Sequence, residues 1–465
     1  MKRILKKINK RSIVRLISGC MTALCVLPLV GGLANADGDD AEVADPYAPP
    51  TLQETTYAYL YNFENDTELY RKGDINLPVY PTSTVKIMAG ITAIEALGDD
   101  MDRKITVNAE MLKLVSGNRI GFMEGEVVTA EQMLYAMLVN SANDAAIILA
   151  YGISGSIEDF VQLMNDKARD VIGVKATYFT NPTGMHDDAM YTTTADIIKI
   201  AKYAYGMPKF MEIVSTQMYL MEETNLSGFR KIYNRNCLLS KYYRGDYYYE
   251  NALGMNAGGT VQGNYCSVTV ARNKDGDLTY LCVIMDSVAV EPEDGSDTIL
   301  TNYTGAIELF EWAFCTYGYR EVLSQKSVVC EVPVSLSSTS DYVTLVPKDS
   351  ITAYLSSEID LKNDIKVTNT LEENVKAPVK KGDVLGYAKV LHGDVELGRV
   401  ELIATADIER SEFLYTLEQV SEFTKSTFFI ATVVSIVVLS VAYVLINARM
   451  RQKRLRSRVP RQYRR

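Results

Sequence analysis

The stretch that most constrains the fold is Pro81-Thr82-Ser83-Thr84-Val85-Lys86 with the run behind it, Ile87 to Leu97. Proline is tolerated in the first turn of a helix, where its missing N–H is not needed. The residues that follow leave almost no polar face, so the helix must be buried nearly all round inside a sizeable domain. Ser83 and Lys86 stand at i and i+3 on its first turn, which points both side chains the same way. An ammonium then lies beside a hydroxyl at a helix N-terminus, a place that favours developing negative charge. Burial lowers a lysine's pKa, so Lys86 can act as a neutral amine that takes the Ser83 proton. The pair reads as a nucleophile and its base.

At 465 residues the chain has room for two or three domains. Its net charge of −10 conceals an uneven distribution. The first 36 residues and residues 449–465 together hold 16 of the 48 basic groups and none of the 58 acidic ones, leaving a net −26 between them. An acidic middle argues against nucleic acid as a partner. Lys2 to Arg15, the apolar Leu16 to Leu33 and Ala34-Asn35-Ala36 have the form of a secretory signal peptide with its cleavage site. Phe428 to Ile446 is 19 residues without a charge, long enough at ~1.5 Å per residue to cross the hydrocarbon of a bilayer. The arginine-rich tail after it belongs in the cytoplasm. The expected location is the cell membrane, with one C-terminal anchor and the bulk of the chain extracytoplasmic. Five cysteines remain after the signal (Cys237, Cys266, Cys282, Cys315, Cys330), with no C-x-x-C among them. An odd number leaves at least one free thiol or an intermolecular bond. Cys266 and Cys282 lie in apolar strand-like runs and read as small core residues.

The expected organisation is a signal peptide at 1–36, a flexible leader at 37–51, a main domain at 52–322, a small all-β domain at 323–407, an amphipathic stalk at 408–427, a transmembrane helix at 428–446 and a basic tail at 447–465. In the main domain, Thr56 to Tyr61 alternates like a strand and Thr129 to Leu138 reads as a helix. Asn143 or Asp144 is placed to cap the helix Ala145 to Tyr151, which leaves Ser141 on a short interhelical loop. Tyr265 to Ala271 and Leu278 to Met285 form a hairpin around Asn273-Lys-Asp-Gly276, and Ile307 to Tyr317 closes the domain as a helix. Arg244-Gly245-Asp246, between runs of tyrosine, reads as a hairpin turn.

The chain has two histidines. His392 lies in a turn of the β domain, and His186 reads as solvated in a loop. No H-E-x-x-H, G-x-S-x-G or phosphate loop is present, so a serine enzyme built on this chain must use lysine as its base. Ser83-x-x-Lys86 followed by Ser141-x-Asn143 resembles the penicillin-recognising serine enzymes. Phe122-Met-Glu-Gly-Glu126, Met133-Leu-Tyr-Ala-Met-Leu138, Asn143-Asp-Ala-Ala146, Phe179-Thr-Asn-Pro-Thr-Gly184 and Gly263-Asn-Tyr-Cys266 narrow the resemblance. They are similar to the D-alanyl-D-alanine carboxypeptidases, or low-molecular-mass penicillin-binding proteins, from about Thr55 to Ile403.

The resemblance implies an α/β (α+β) penicillin-binding, β-lactamase-like transpeptidase domain: an antiparallel sheet packed by helices, followed by a small C-terminal all-β domain and one transmembrane helix. It implies that Ser83 attacks the terminal D-Ala-D-Ala bond of a peptidoglycan stem peptide and that Lys86 accepts its proton. Ser141 relays a proton to the departing D-alanine, Asn143 holds the substrate backbone, and β-lactams are covalent inhibitors. No metal or diffusible cofactor is implied. The family's Lys-Thr-Gly strand is where this chain departs. Asn256 and Ala257 replace the lysine and threonine that bind the substrate carboxylate, while Gly258 is kept and Gly259 can supply an oxyanion N–H. A hydrogen bond to a charged group contributes ~1.5–3 kcal/mol, so the loss costs about two to four orders of magnitude in rate. Two functions follow: a carboxypeptidase of weak activity, or an impaired relative that serves as a wall-recognition or scaffold element.

Overall fold

The computed structural model describes residues 47–456. The expected signal peptide, most of the leader and the last nine residues of the tail lie outside the described residues. The remainder forms two compact units. The first runs to Gly318 and takes in Ser356–Glu358; the second comprises Tyr319–Leu355 and the chain from Ile359 onward.

The first unit is built on a five-stranded sheet. Its strands are β1 (Thr55–Asn62), β2 (Thr67–Lys72), β3 (Ala252–Thr260), β4 (Asn264–Arg272) and β5 (Thr279–Ser287), in the order β2-β1-β5-β4-β3. All pairs are antiparallel, with Leu60 opposite Cys282 and Val268 opposite Asn256. β4 and β5 form the expected hairpin. β2 was not expected, because Thr-Glu-Leu-Tyr-Arg-Lys has no apolar alternation. It is a sheet-edge strand with no buried position, and such a strand needs no buried face.

The helix α1 (Val85–Leu97) lies in the core, and only Glu95 and Ala96 of its residues escape burial. α2 (Ala130–Val139), α3 (Asn143–Ser154), α4 (Ile157–Lys167), α5 (Thr194–Tyr205) and α6 (Pro208–Val214) share its core cluster. A Cβ on Gly90 of α1 would come within 3.0 Å of Leu138 and Phe210, so α1 approaches α2 and α6 closely there. α7 (Thr301–Thr316) covers another side of the sheet, with Ser267 Oγ of β4 donating to the Asn302 carbonyl. It begins six residues before the expected start, because Thr301 to Ala306 pack as helix against the sheet although their sequence is polar and small.

Two local expectations need correction. α3 is capped at Ala142 without a side-chain bond, so neither Asn143 nor Asp144 is its cap. Both side chains are turned to the preceding loop instead. Arg244-Gly245-Asp246 is not a hairpin turn; Gly245–Tyr247 is one turn of 3₁₀ helix with no flanking strands, and Arg244 is left-handed at φ 46°. α2 is held by a capping box in which Thr129 and Gln132 bond reciprocally.

The second unit is a β domain. Its strands β6 (Cys330–Ser335), β7 (Tyr342–Pro347), β8 (Ile365–Leu371), β9 (Val384–His392) and β10 (Val395–Ala404) run in the order β8-β9-β10-β7-β6, with the short Val375–Lys376 added in parallel to β6. Alternate residues such as Val343, Leu345, Val390 and Leu402 form its buried core. After it come α8 (Glu412–Lys425), capped by Ser411, and α9 (Thr427–Arg456). Phe413, Leu417, Val420 and Phe423 of α8 are exposed on one helical face. α9 contains the one helix among the described residues that is long and apolar enough to cross a membrane.

Candidate active site

Ser83 does not sit on α1 itself. It occupies a tight 3₁₀ turn, Thr82–Thr84, that leads into the helix, and Thr82 is left-handed at φ 50°. Gly184 explains how this turn is held. A Cβ there would fall 1.9 Å from the Thr82 carbonyl oxygen and 3.0 Å from the Ser83 nitrogen, and its own φ is 77°. Only glycine fits so close to the backbone in this conformation. The Asn181-Pro-Thr-Gly184 turn is in turn tied by Asn181, whose Oδ1 accepts from the Thr183 and Gly184 amides at 3.1 and 2.9 Å.

Lys86 is 1% exposed, and its Nζ donates to the Thr183 carbonyl at 2.5 Å. No carboxylate among the described residues pairs with it. Burial without a counter-charge pushes its pKa down to about 7. At neutral pH a large share of the amine is therefore unprotonated and able to act as a base.

β3 covers the nucleophile. A Cβ on Gly258 would lie 2.6 Å from Ser83 Oγ and 2.7 Å from Ser83 Cβ, so the strand rests directly on the serine. Its register partner on β4, Cys266, is fully buried, with Sγ 3.8 Å from the Tyr80 carbonyl and 3.7 Å from that of Gly263. Burial lifts the Cys266 thiol to about 11. Residues two apart on a strand share a face, so Asn256 stands on the Ser83 side of β3. Ala257 and Gly259 face the other way, where Gly259 lies against the Tyr265 ring.

Ser141 is on the α2–α3 link, as expected, in a left-handed conformation at φ 56°. Its Oγ and the Oδ1 of Asn256 are both buried, and neither meets a hydrogen-bond partner among the described residues. Asn143 Nδ2 donates to the Ser116 carbonyl at 2.7 Å, and its amide donates to the Asn118 carbonyl at 2.7 Å. Asn118 Nδ2 reaches back to the Asn140 and Ser141 carbonyls at 2.7 and 3.1 Å. A Cβ on Gly117 would meet both Asn143 Nδ2 and Met185 Sδ, which brings the Gly184 loop, this loop and Asn143 into one wall.

Two buried carboxylates fix that wall. Asp144 accepts the amides of Ile120 and Gly121 at 3.2 and 2.8 Å. Glu126 binds Arg230 through both guanidinium nitrogens, at 2.6 and 3.0 Å, and also accepts from Thr224 and the Met123 amide. Sequence reasoning identified Phe122–Glu126 and Asn181–Gly184 as motifs but gave them no part in the site. The contacts of Gly184 with Thr82 and Ser83, of Phe122 with Asp144 and of Glu126 with Arg230 join residues far apart in the chain, which no local pattern reveals. His186 is also more enclosed than expected. It stacks edge-on against Tyr80 with centroids 4.6 Å apart and pairs with Asp188 at 3.0 Å. No group of three or more potential metal ligands is present among the described residues.

A serine on a tight turn, a buried lysine one turn on and a strand laid over the serine form an arrangement suited to a serine nucleophile with an amine base. The family model for D-alanyl-D-alanine carboxypeptidases matches residues 56–288, and that for the C-terminal domain of penicillin-binding protein 5 matches residues 317–410. The D-alanyl-D-alanine carboxypeptidase DacF of Bacillus subtilis is 27% identical over 370 residues, which cover 79% of this chain and 89% of that protein. A D-alanyl-D-alanine carboxypeptidase of Streptomyces sp. strain K15 is 28% identical over 291 residues, covering 60% and 96% respectively. Penicillin-binding protein 5 of Haemophilus influenzae shares the fold, with a TM-score of 0.53 at 21% identity over 78% of this chain and 99% of that one. The chain belongs to the D-alanyl-D-alanine carboxypeptidase family, and it is a serine-type carboxypeptidase of that kind.

Proposed function

We propose that the reaction runs through an acyl-enzyme on Ser83, formed from peptidoglycan stem peptides that end in D-Ala-D-Ala. Ser83 Oγ attacks the carbonyl carbon of the penultimate D-alanine while Lys86 Nζ takes the hydroxyl proton. Collapse of the tetrahedral intermediate breaks the peptide bond, and the proton passes by way of Ser141 to the amine of the departing D-alanine. Water then hydrolyses the ester and restores Ser83. The Ser83 and Gly259 amides serve the oxyanion, Asn143 and the edge of β3 (Asn256, Ala257, Gly258) hold the peptide, and β-lactams acylate the same serine. α9 anchors the chain in the cell membrane with the first unit outside.

The observation that carries this reading is the state of Lys86: buried, without a counter-charge, with its pKa lowered to about 7 one turn after Ser83. The test is covalent labelling of the full chain by a fluorescent penicillin together with D-alanine release from a stem pentapeptide. Both are expected, and both are expected to vanish in Ser83→Ala, a loss of about 10⁴-fold or more. A folded wild-type chain that takes no label would overturn the acyl-enzyme. Asn256 and Ala257 support a second reading, an impaired enzyme kept for wall recognition. Labelling without measurable D-alanine release would favour it.

A further inference from the structure

β3 has lost its expected lysine and threonine, yet a different cation stands beside the loop that carries Ser141. Arg235 follows the hairpin Met218–Met221/Arg230–Tyr233. Its amide donates to the Val139 carbonyl at 2.9 Å, two residues before Ser141. Its Nη1 is 3.4 Å from Asn118 Oδ1, on the asparagine whose Nδ2 binds the Ser141 carbonyl. Its Nη2 donates to Tyr243 Oη at 3.0 Å, and the guanidinium lies 4.5 Å from the centre of that ring. These partners fix the group without neutralising it. No carboxylate among the described residues pairs with Arg235, and it is half-buried. A guanidinium carries five N–H donors in a rigid fork suited to a carboxylate, and partial desolvation strengthens such a bond. Arg119, on the same loop, is exposed.

We propose that Arg235 binds the C-terminal carboxylate of the substrate in this chain, the task that Asn256 and Ala257 cannot perform. The proposal rests on the carboxypeptidase reading for the identity of its ligand, and it makes Arg235 a specificity determinant. Cleavage is confined to peptides with a free C-terminus because the guanidinium rewards that charge and nothing on β3 does.

Binding measured on the full chain carrying Ser83→Ala separates recognition from turnover. The probes are a D-Ala-D-Ala-terminated peptide as its free acid and as its C-terminal carboxamide. The free acid is expected to bind about 10- to 100-fold more tightly. Adding Arg235→Gln should erase that preference, Arg235→Lys should restore part of it, and Arg119→Gln should leave it intact. A preference that survives Arg235→Gln, or none in the Ser83→Ala chain itself, overturns the proposal. D-alanine release by wild-type chain is scored separately. If release fails while the Arg235-dependent preference remains, the carboxypeptidase reading falls and the assignment of Arg235 stands.

Discussion

On one side of the site, the Thr82–Thr84 turn and α1 present Ser83 and Lys86 from the middle of the core; on the other, β3 presents Asn256 and Ala257 where the sequence resemblance leads one to expect lysine and threonine. The first depends on burial. The Lys86 pKa falls because α1 is enclosed nearly all round and no carboxylate among the described residues pairs with it, so changing that side disturbs the whole core. The second depends on two side chains at the edge of a sheet, where β3 has only β4 as a neighbour. Residues there are buried, but they meet one neighbouring strand rather than a helix core on every side. Activation of the nucleophile is therefore bound to the architecture, while recognition can be rewritten locally.

Restoring Asn256→Lys and Ala257→Thr together is the strongest way to break this contrast. D-alanine release should rise by up to about two to four orders of magnitude, and by less to the extent that Arg235 already binds the carboxylate. No gain in a folded variant would mean that residues 256 and 257 do not occupy the places of the family's lysine and threonine. Gly258→Ala attacks the junction between the two sides. The new methyl lies 2.6 Å from Ser83 Oγ, so serine or strand must move. Penicillin labelling should slow about a hundredfold, as expected for a displacement approaching 1 Å, with a far smaller change in Tm; an unchanged labelling rate would show that the strand yields freely.

The smallest effect concerns Lys86 and pH. Its folded pKa of about 7 lies below the ordinary 10.5. Between these values the unfolded chain binds the proton that the folded chain releases, so the lysine's cost to stability is full below about pH 7 and fades as pH rises toward 10.5. Lys86→Met should therefore stabilise the protein by on the order of a few kcal/mol at pH 6 and by less at pH 9, measured by denaturant unfolding at each pH. A gain equal at both would sink the claim that burial depresses this amine. In the wild-type chain the same titration makes penicillin labelling accelerate as pH rises toward 7 and level off above it.

Much of this was legible from the sequence, for identifiable reasons. α1 announced itself because an apolar helix has few places to go, and the β4–β5 hairpin because its turn residues are unambiguous. Ser83, Lys86 and Ser141 carried enough motif to be proposed as nucleophile, base and proton relay. What stayed hidden was tertiary. Asn143 could not be separated from a cap, since an asparagine at a helix start fits either; its bond to the Ser116 carbonyl shows that it does not cap α3. Gly184 reads as a turn glycine, and its second task, leaving room for the backbone that carries Ser83, exists only once residues 82 and 184 meet. His186 looked solvated because its neighbour Tyr80 is more than a hundred residues away.

Cys266 gives the cleft a reporter of its own motion. On β4, directly across from Gly258, its sulfur is sealed against the chain that leads into the Ser83 turn, and a thiol with a pKa near 11 is nearly inert while enclosed. It becomes reactive only when strand and turn part. The speed at which a thiol reagent finds Cys266 is thus a clock for how often the site opens, readable without substrate, antibiotic or turnover.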